Sequence, residues 1–168
     1  MLQYKYRKQL LINRKLPRYK FIDNLSIEFI LSGLADCESK RSTVDITKRN
    51  NHFIDKYEVL EHYDQKHTTL KLPSVFDIFG DVYDLRYGIL EPNKIIPPHV
   101  DTPDGHRFIA LLKGKHTYVT DDEKIEMNQG ELWFINSSFE HSIINSDTRR
   151  IAMLGKFNNV SKLLRTKP

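Results

Sequence analysis

The stretch that decides the fold runs from residue 82 to residue 157: VYDLRYGILEPNKIIPPHVDTPDGHRFIALLKGKHTYVTDDEKIEMNQGELWFINSSFEHSIINSDTRRIAMLGKF. It reads as short apolar-rich segments: Val82–Leu90, Ile95–Asp101, Arg107–Leu112, His116–Thr120, Lys124–Met127, Leu132–Ile135, His141–Asn145 and Arg150–Phe157. Between them stand turn formers, among them Glu91-Pro92-Asn93, Thr102–Gly105, Lys113–Lys115, Asp121–Glu123, Asn128–Gly130, Asn136–Ser138 and Ser146-Asp147. Proline presets φ, glycine opens positive φ, and Asn and Asp bond their own backbone, so each break has a physical cause. A run of short strands with such punctuation predicts a closed or sandwiched antiparallel fold, of jelly-roll or small-barrel type.

Upstream the pattern changes. Residues 1–20 form a basic, Tyr-containing arm in which Pro17 interrupts any helix. Residues 21–80 read as a mixed region of helical support and substrate-facing wall. Asp23 or Asn24 is placed to cap a helix whose buried face holds Leu25, Ile27, Phe29, Ile30, Leu31 and Leu34. The polar stretch Ser39–Asn51 reads as loop or edge. Phe53, Tyr57, Leu60 and Tyr63 recur at helical spacing, predicting a second helix over about Phe53–Tyr63, and Pro73 opens a short helix ended by Gly80. The expectation is therefore one domain: an arm (1–20), a support region (21–80), a β core (81–157) and a basic tail (158–168), with the helices packed on one outer face.

A chain of 168 residues supports one real core without staples. Cys37 is its one cysteine, which excludes an intramolecular disulfide or a zinc site of several thiolates within the chain and points to a reducing, cytoplasmic setting. No segment approaches the ~20 apolar residues of a membrane span. The net charge of +4 invites a nucleic-acid reading, but ten of the 26 basic residues lie in the two tails, against no acid there. The remaining 16 face 22 acids, so the body is acidic. The tails read as solvated ends, as a guide for an acidic partner or nucleic acid, or as an oligomer contact; nucleic acid is not the favoured partner.

The chemistry-bearing residues sit on the predicted strands. His99 and Asp101 form His-x-Asp at a strand end, a spacing that puts both side chains on one face. Pro97 and Pro98 stiffen the approach and remove two ladder donors, which suits a strand end. His141 opens a later strand, and Arg149-Arg150 follows across a turn. Two imidazoles and a carboxylate on one face describe the facial triad of non-haem Fe(II) oxygenases, which leaves positions open for a cosubstrate and dioxygen. A guanidinium on the strand after the second His matches the distal carboxylate of a 2-oxo acid. One of Arg149 and Arg150 should point inward, and small Ala152 favours Arg150. Asn145 either contacts a ligand or bonds its own turn. His106 and His116, near turns, read as solvated; Trp133 and Phe134 read as core and wall. Tyr83, Tyr87 and Tyr118 carry no feature that separates pocket from core.

From Tyr83 to Phe157 the chain resembles the aspartyl/asparaginyl β-hydroxylase-like branch of the Fe(II)/2-oxoglutarate-dependent oxygenases. The residues that carry it are LEPNKIIPPHVD, HRFIALL and MNQGELWFINSSFEHSIINSDTRRIAML, most specifically Gly130–Phe134, Glu140-His141, Asn145 and Arg150-Ile151. The resemblance implies a double-stranded β-helix (jelly-roll, cupin-like) core and iron held by His99 and His141, with Asp101 as the carboxylate ligand that some members lack. It implies 2-oxoglutarate bound by Arg150, with Arg107, facing the pocket, and Asn145 as further cosubstrate contacts. Where a His often follows that arginine by two residues, this chain has Ile109. The implied reaction uses dioxygen to hydroxylate an amino acid or an Asp, Asn or Pro side chain in a peptide or protein, releasing succinate and CO2. Two other classes compete: a different cupin-type metal enzyme, against which the absence of His-x-His counts, and a non-catalytic jelly-roll binding module.

Overall fold

A computed structural model of the chain describes residues 2–43, 58–59, 70–101 and 105–165. Ten strands, β1 (Tyr19–Asn24), β2 (Glu58–Val59), β3 (Val82–Leu90), β4 (Ile95–His99), β5 (His106–Lys113), β6 (His116–Thr120), β7 (Glu123–Met127), β8 (Glu131–Ile135), β9 (His141–Asn145) and β10 (Arg150–Phe157), form two antiparallel sheets. The larger has the order β1-β8-β5-β10-β3-β2 and the smaller β4-β9-β6-β7. This is the mainly β, double-stranded β-helix architecture of the cupins. The eight strands expected after residue 81 are all present, within two residues at their ends. Their turns use the chemistry that predicted them: Asn93 and Asp121 adopt φ of 62° and 54°, a region Asn and Asp enter more readily than most residues.

Strand alternation sorts side chains into two cores. On β5, Phe108, Ala110 and Leu112 face a cluster with Leu25, Phe29, Phe76, Phe79, Leu132, Phe134 and Phe157, which joins the larger sheet to the helices. Ile109 and Leu111 face the opposite way, into a cluster with Leu90, Tyr118, Trp133, Ile135, Ile143 and Ala152. Both faces of the larger sheet are therefore covered, and its central strands are near-continuously apolar. Phe79 stacks on Phe108 with ring centroids 4.9 Å apart. Close packing here requires Gly155, where an added Cβ would collide with the Phe108 ring and lie 2.9 Å from Leu85 Cδ2.

The helical half differs from expectation in several places. Residues 2–13 form helix α1 (Leu2–Asn13), so Pro17 lies beyond a helix rather than inside one. The chain then enters β1, which crosses the boundary drawn at residue 20 and pairs with β8. Asp23 and Asn24 are strand residues. The cap of helix α2 (Ile27–Thr43) is Ser26, whose Oγ accepts from Phe29 N at 3.2 Å, satisfying one of the first-turn donors. The helix carries on through Ser39 to Thr43, where loop was expected. The rest of that polar stretch lies outside the described residues, as does the helix expected over Phe53–Tyr63 except for Glu58–Val59, which pair as strand with β3. The short helix after Pro73 is a 3-10 helix, Ser74–Phe79, ended by Gly80 at φ 66°. The C-terminal tail begins with α3 (Ser161–Arg165), anchored by Leu163 at 2% exposure. Among the described residues no helix is long and apolar enough to cross a membrane.

Candidate metal centre

Strand register creates the site. His99 and His141 are direct partners across the β4–β9 pair, beyond a bulge that follows Ile96. Their ring centroids lie 4.4 Å apart. Asp101 stands just past the end of β4, its backbone N donating to Ser137 O at 3.0 Å. His99 Nε2 lies 3.5 Å from Asp101 Oδ1, and His141 Nε2 lies 3.6 Å from Asp101 Oδ2. The three ligand atoms fall within 4.8 Å of one another.

The outward nitrogens explain what the inward ones offer. His99 Nδ1 is 2.7 Å from Pro97 O, and His141 Nδ1 is 2.8 Å from Phe139 O. A carbonyl oxygen only accepts, so each Nδ1 carries the hydrogen, and Nε2 is the ring atom that each histidine turns inward. Burial, above all, holds His141 below the ordinary histidine range, the proximity of His99 and Arg107 adding to this against the raising effect of Phe139 O and Asp101. Two inward Nε2 atoms and a carboxylate converging on one point offer a cation three ligand atoms. Imidazole and carboxylate without thiolate suit a divalent first-row metal, and carbonyl-locked imidazoles are the usual support of such ligands. Tyr118 stacks on His141 with centroids 5.6 Å apart, filling the side away from His99.

A cavity of ≈ 120 Å3 opens from these residues between the sheets, lined also by Arg86, Gly88, Arg107, Ile109, Ile143 and Arg150. Of the Arg149-Arg150 pair, Arg149 turns outward to Glu91 (Nε–Oε1 2.9 Å), whereas Arg150 turns in and is 2% exposed. Its Nη2 donates to Gly88 O at 3.2 Å, its Nη1 lies 3.3 Å from His116 Nδ1, and its Nε has no partner. No carboxylate meets Arg150 among the described residues, and burial lowers its pKa to about 10. The guanidinium packs close over Gly88, where an added Cβ would stand 3.1 Å from Arg150 Nη2. Arg107 reaches the metal end: its Nη1 donates to Ser137 Oγ at 3.0 Å and its Nε is 3.8 Å from Asp101 Oδ2.

Several sequence readings need correction. Asn145 takes the turn alternative. Its Nδ2 donates to Leu90 O, Glu91 O and Thr148 O at 2.8–3.0 Å, outside the cavity lining. His116 is not solvated but 1% exposed, and burial, reinforced by Arg150, holds it neutral well below the usual range, which frees its Nδ1 to accept from Arg150. His106 is likewise buried, packed on Phe157 and 3.4 Å from Gln9 Nε2. Trp133 and Phe134 are core, as expected, Trp133 packing edge-on against Phe21 at 5.3 Å. Arg86, a third guanidinium in the lining, went unread. The signal for it was a single basic residue inside the otherwise apolar run Leu85–Leu90.

Burial, with Arg107 beside it, pushes the His106 pKa down to about 4. The unfolded chain, with a histidine near 6.5, binds the proton first. Stability is thus complete above pH ~6.5 and falls as the pH drops toward ~4. The melting temperature is expected to decline across that window, and H106Q to decline less steeply; equal slopes would show that His106 takes no part.

The fold and site together define a cupin-type β-helix with a two-histidine, one-carboxylate cluster at one end of an arginine-bearing cavity. A cupin domain family model matches residues 86–154. No curated protein matches the chain. Among solved structures, the chain is similar to a prolyl-4-hydroxylase from Pseudomonas putida (TM-score 0.61, 11% identity, covering 90% of this chain and 98% of that one). It is also similar to a viral collagen prolyl hydroxylase from Paramecium bursaria Chlorella virus-1, in a 2-oxoglutarate complex (TM-score 0.58, 13% identity, 83% and 94%). A third is the polyketide cyclase RemF of Streptomyces resistomycificus (TM-score 0.52, 17% identity, 71% and 77%). At these identities the likeness shows the shared fold alone.

Proposed function

We propose that the protein is an Fe(II)- and 2-oxoglutarate-dependent dioxygenase that hydroxylates an amino acid or a peptidyl side chain, of the aspartyl/asparaginyl β-hydroxylase-like branch. The observation that carries this reading is one cavity with two inward imidazole nitrogens and a carboxylate at one end and, at the other, a buried guanidinium that meets no carboxylate among the described residues. His99, Asp101 and His141 would hold the iron. When bound, the metal supplies the activation of dioxygen and the oxidation of the substrate carbon. The protein's part is binding and orientation. Arg150 takes the distal carboxylate of 2-oxoglutarate through charge-assisted hydrogen bonds in a dry site, and His116, kept neutral, steadies it without competing charge. Ile109, Ile143 and Leu154 line the space between and exclude water. Residues 21–80 are the proposed substrate-facing wall.

Succinate release tests the reading. The purified protein with Fe(II), 2-oxoglutarate and dioxygen is expected to form succinate even without primary substrate, and omission of any of the three should stop it. The cupin domain match keeps a second metal-enzyme reading in view. A titration with 2-oxoglutarate on the Zn(II)-loaded protein separates them, because only the oxygenase requires metal-dependent cosubstrate binding.

A further inference from the structure

Arg86 is used neither by the metal centre nor by the cosubstrate clamp. It lines the cavity, is 9% exposed, and its Nε has no hydrogen-bond partner. Apart from Arg150, the other cations around the cavity are engaged. Arg107 donates to Ser137 and lies 3.8 Å from Asp101. Lys156 pairs with Asp84 at 3.0 Å, and Arg149 pairs with Glu91 at 2.9 Å. Arg86 meets no counter-charge among the described residues, and burying a guanidinium in that state opposes folding, so a residue of this kind points to a ligand that completes it.

Strand register says where that ligand would lie. Arg86 on β3 is level with Leu154 on β10, which is level with Ile109 on β5. Arg107 stands two residues from Ile109 on the same face. Arg86 and Arg107 thus flank β10 toward the metal end, whereas Arg150 pairs with Leu90, four residues further along β3. The cosubstrate has two carboxylates, one for the metal and one for Arg150, which leaves Arg86 for a third anionic group.

Building on the oxygenase reading, we propose that Arg86 is a specificity-determining residue that, beside Arg107, binds a carboxylate of the primary substrate, so that the enzyme selects an acidic side chain over a neutral amide or an imino ring. The same chemistry has one other source, the distal carboxylate of 2-oxoglutarate itself, because the Arg150 guanidinium reaches Gly88, two residues from Arg86. The test separates the two.

Zn(II)-loaded protein saturated with 2-oxoglutarate is titrated calorimetrically with N-acetyl-aspartyl amide, N-acetyl-asparaginyl amide and N-acetyl-prolyl amide. Wild type is expected to prefer the aspartyl probe about tenfold or more, the size of one hydrogen bond to a charged group. R86M is expected to lose that preference and R86K to keep part of it, while the 2-oxoglutarate dissociation constant changes less than about threefold in both. The melting temperature of ligand-free R86M should hold or rise, because a buried unpaired charge is gone. The inference is overturned if wild type shows no charge preference, if R86M keeps it, if R86M weakens 2-oxoglutarate as R150M does, or if R86M melts lower. Failure of wild type to bind 2-oxoglutarate in a metal-dependent way overturns the oxygenase reading and this inference with it. Cosubstrate binding without charge preference overturns this inference alone.

Discussion

Replacing His141 by alanine is expected to lower affinity for Fe(II), or for Co(II) as its spectroscopic stand-in, by about 100-fold or more. Loss of an outer partner of a metal ligand already costs about 10–100-fold, and His141 is proposed as a ligand itself. The expectation rests on its placement: the side chain is 4% exposed, is locked through Nδ1 to Phe139 O, and aims Nε2 at Asp101 and toward His99. The variant leaves one imidazole and one carboxylate, and no third donor replaces it among the described residues. Metal binding to the native state alone stabilises by about 2.7 kcal/mol at 100 times the dissociation constant. Wild type should therefore melt higher with metal and lose the gain on chelation, whereas H141A should show neither change. Equal metal affinity in the two proteins would remove His141 from the site.

Replacing Arg150 by methionine is expected to weaken 2-oxoglutarate binding to the Zn(II)-loaded protein by about 30-fold to several thousand-fold. This corresponds to the roughly 2–5 kcal/mol lost when one partner of a buried charge pair is truncated. R150K should fall between, because lysine keeps the charge but not the planar fork. The loss should come without unfolding. Among the described residues Arg150 makes only a bond to Gly88 O and a contact with His116, and removing a buried charge that meets no carboxylate there relieves its desolvation. The ligand-free variant should melt near or above wild type. Binding within about threefold of wild type would mean that the cosubstrate, if any, lies elsewhere.

The β half was legible because its rules are local. Alternation of period two, with Pro, Gly, Asn and Asp at the breaks, placed every strand from Val82 to Phe157. The helical half was less so. Pro17 stops a helix only where the helix would contain it, and α1 ends at Asn13. Ser26 outcompeted Asp23 and Asn24 as a cap because β1 had claimed those two for pairing with β8. That pairing depends on where a distant strand lies, and no local pattern reveals it.

What the amino-acid order determined by itself was the jelly-roll pattern, because alternation along a strand sets the face a side chain occupies, and it offered His99, Asp101 and His141 as candidate ligands. Three matters were decided only in three dimensions. Cross-strand register set His99 opposite His141. The turn carbonyls of Glu91 and Thr148, with Leu90, claimed Asn145. Burial between two sheets made His116 a neutral neighbour of Arg150 and left Arg86 in the cavity wall with no counter-ion among the described residues. Burial and charge pairing belong to the packed whole. A basic residue in an apolar strand says that something unusual happens there, and only the neighbours brought in from β5 and β10 say what.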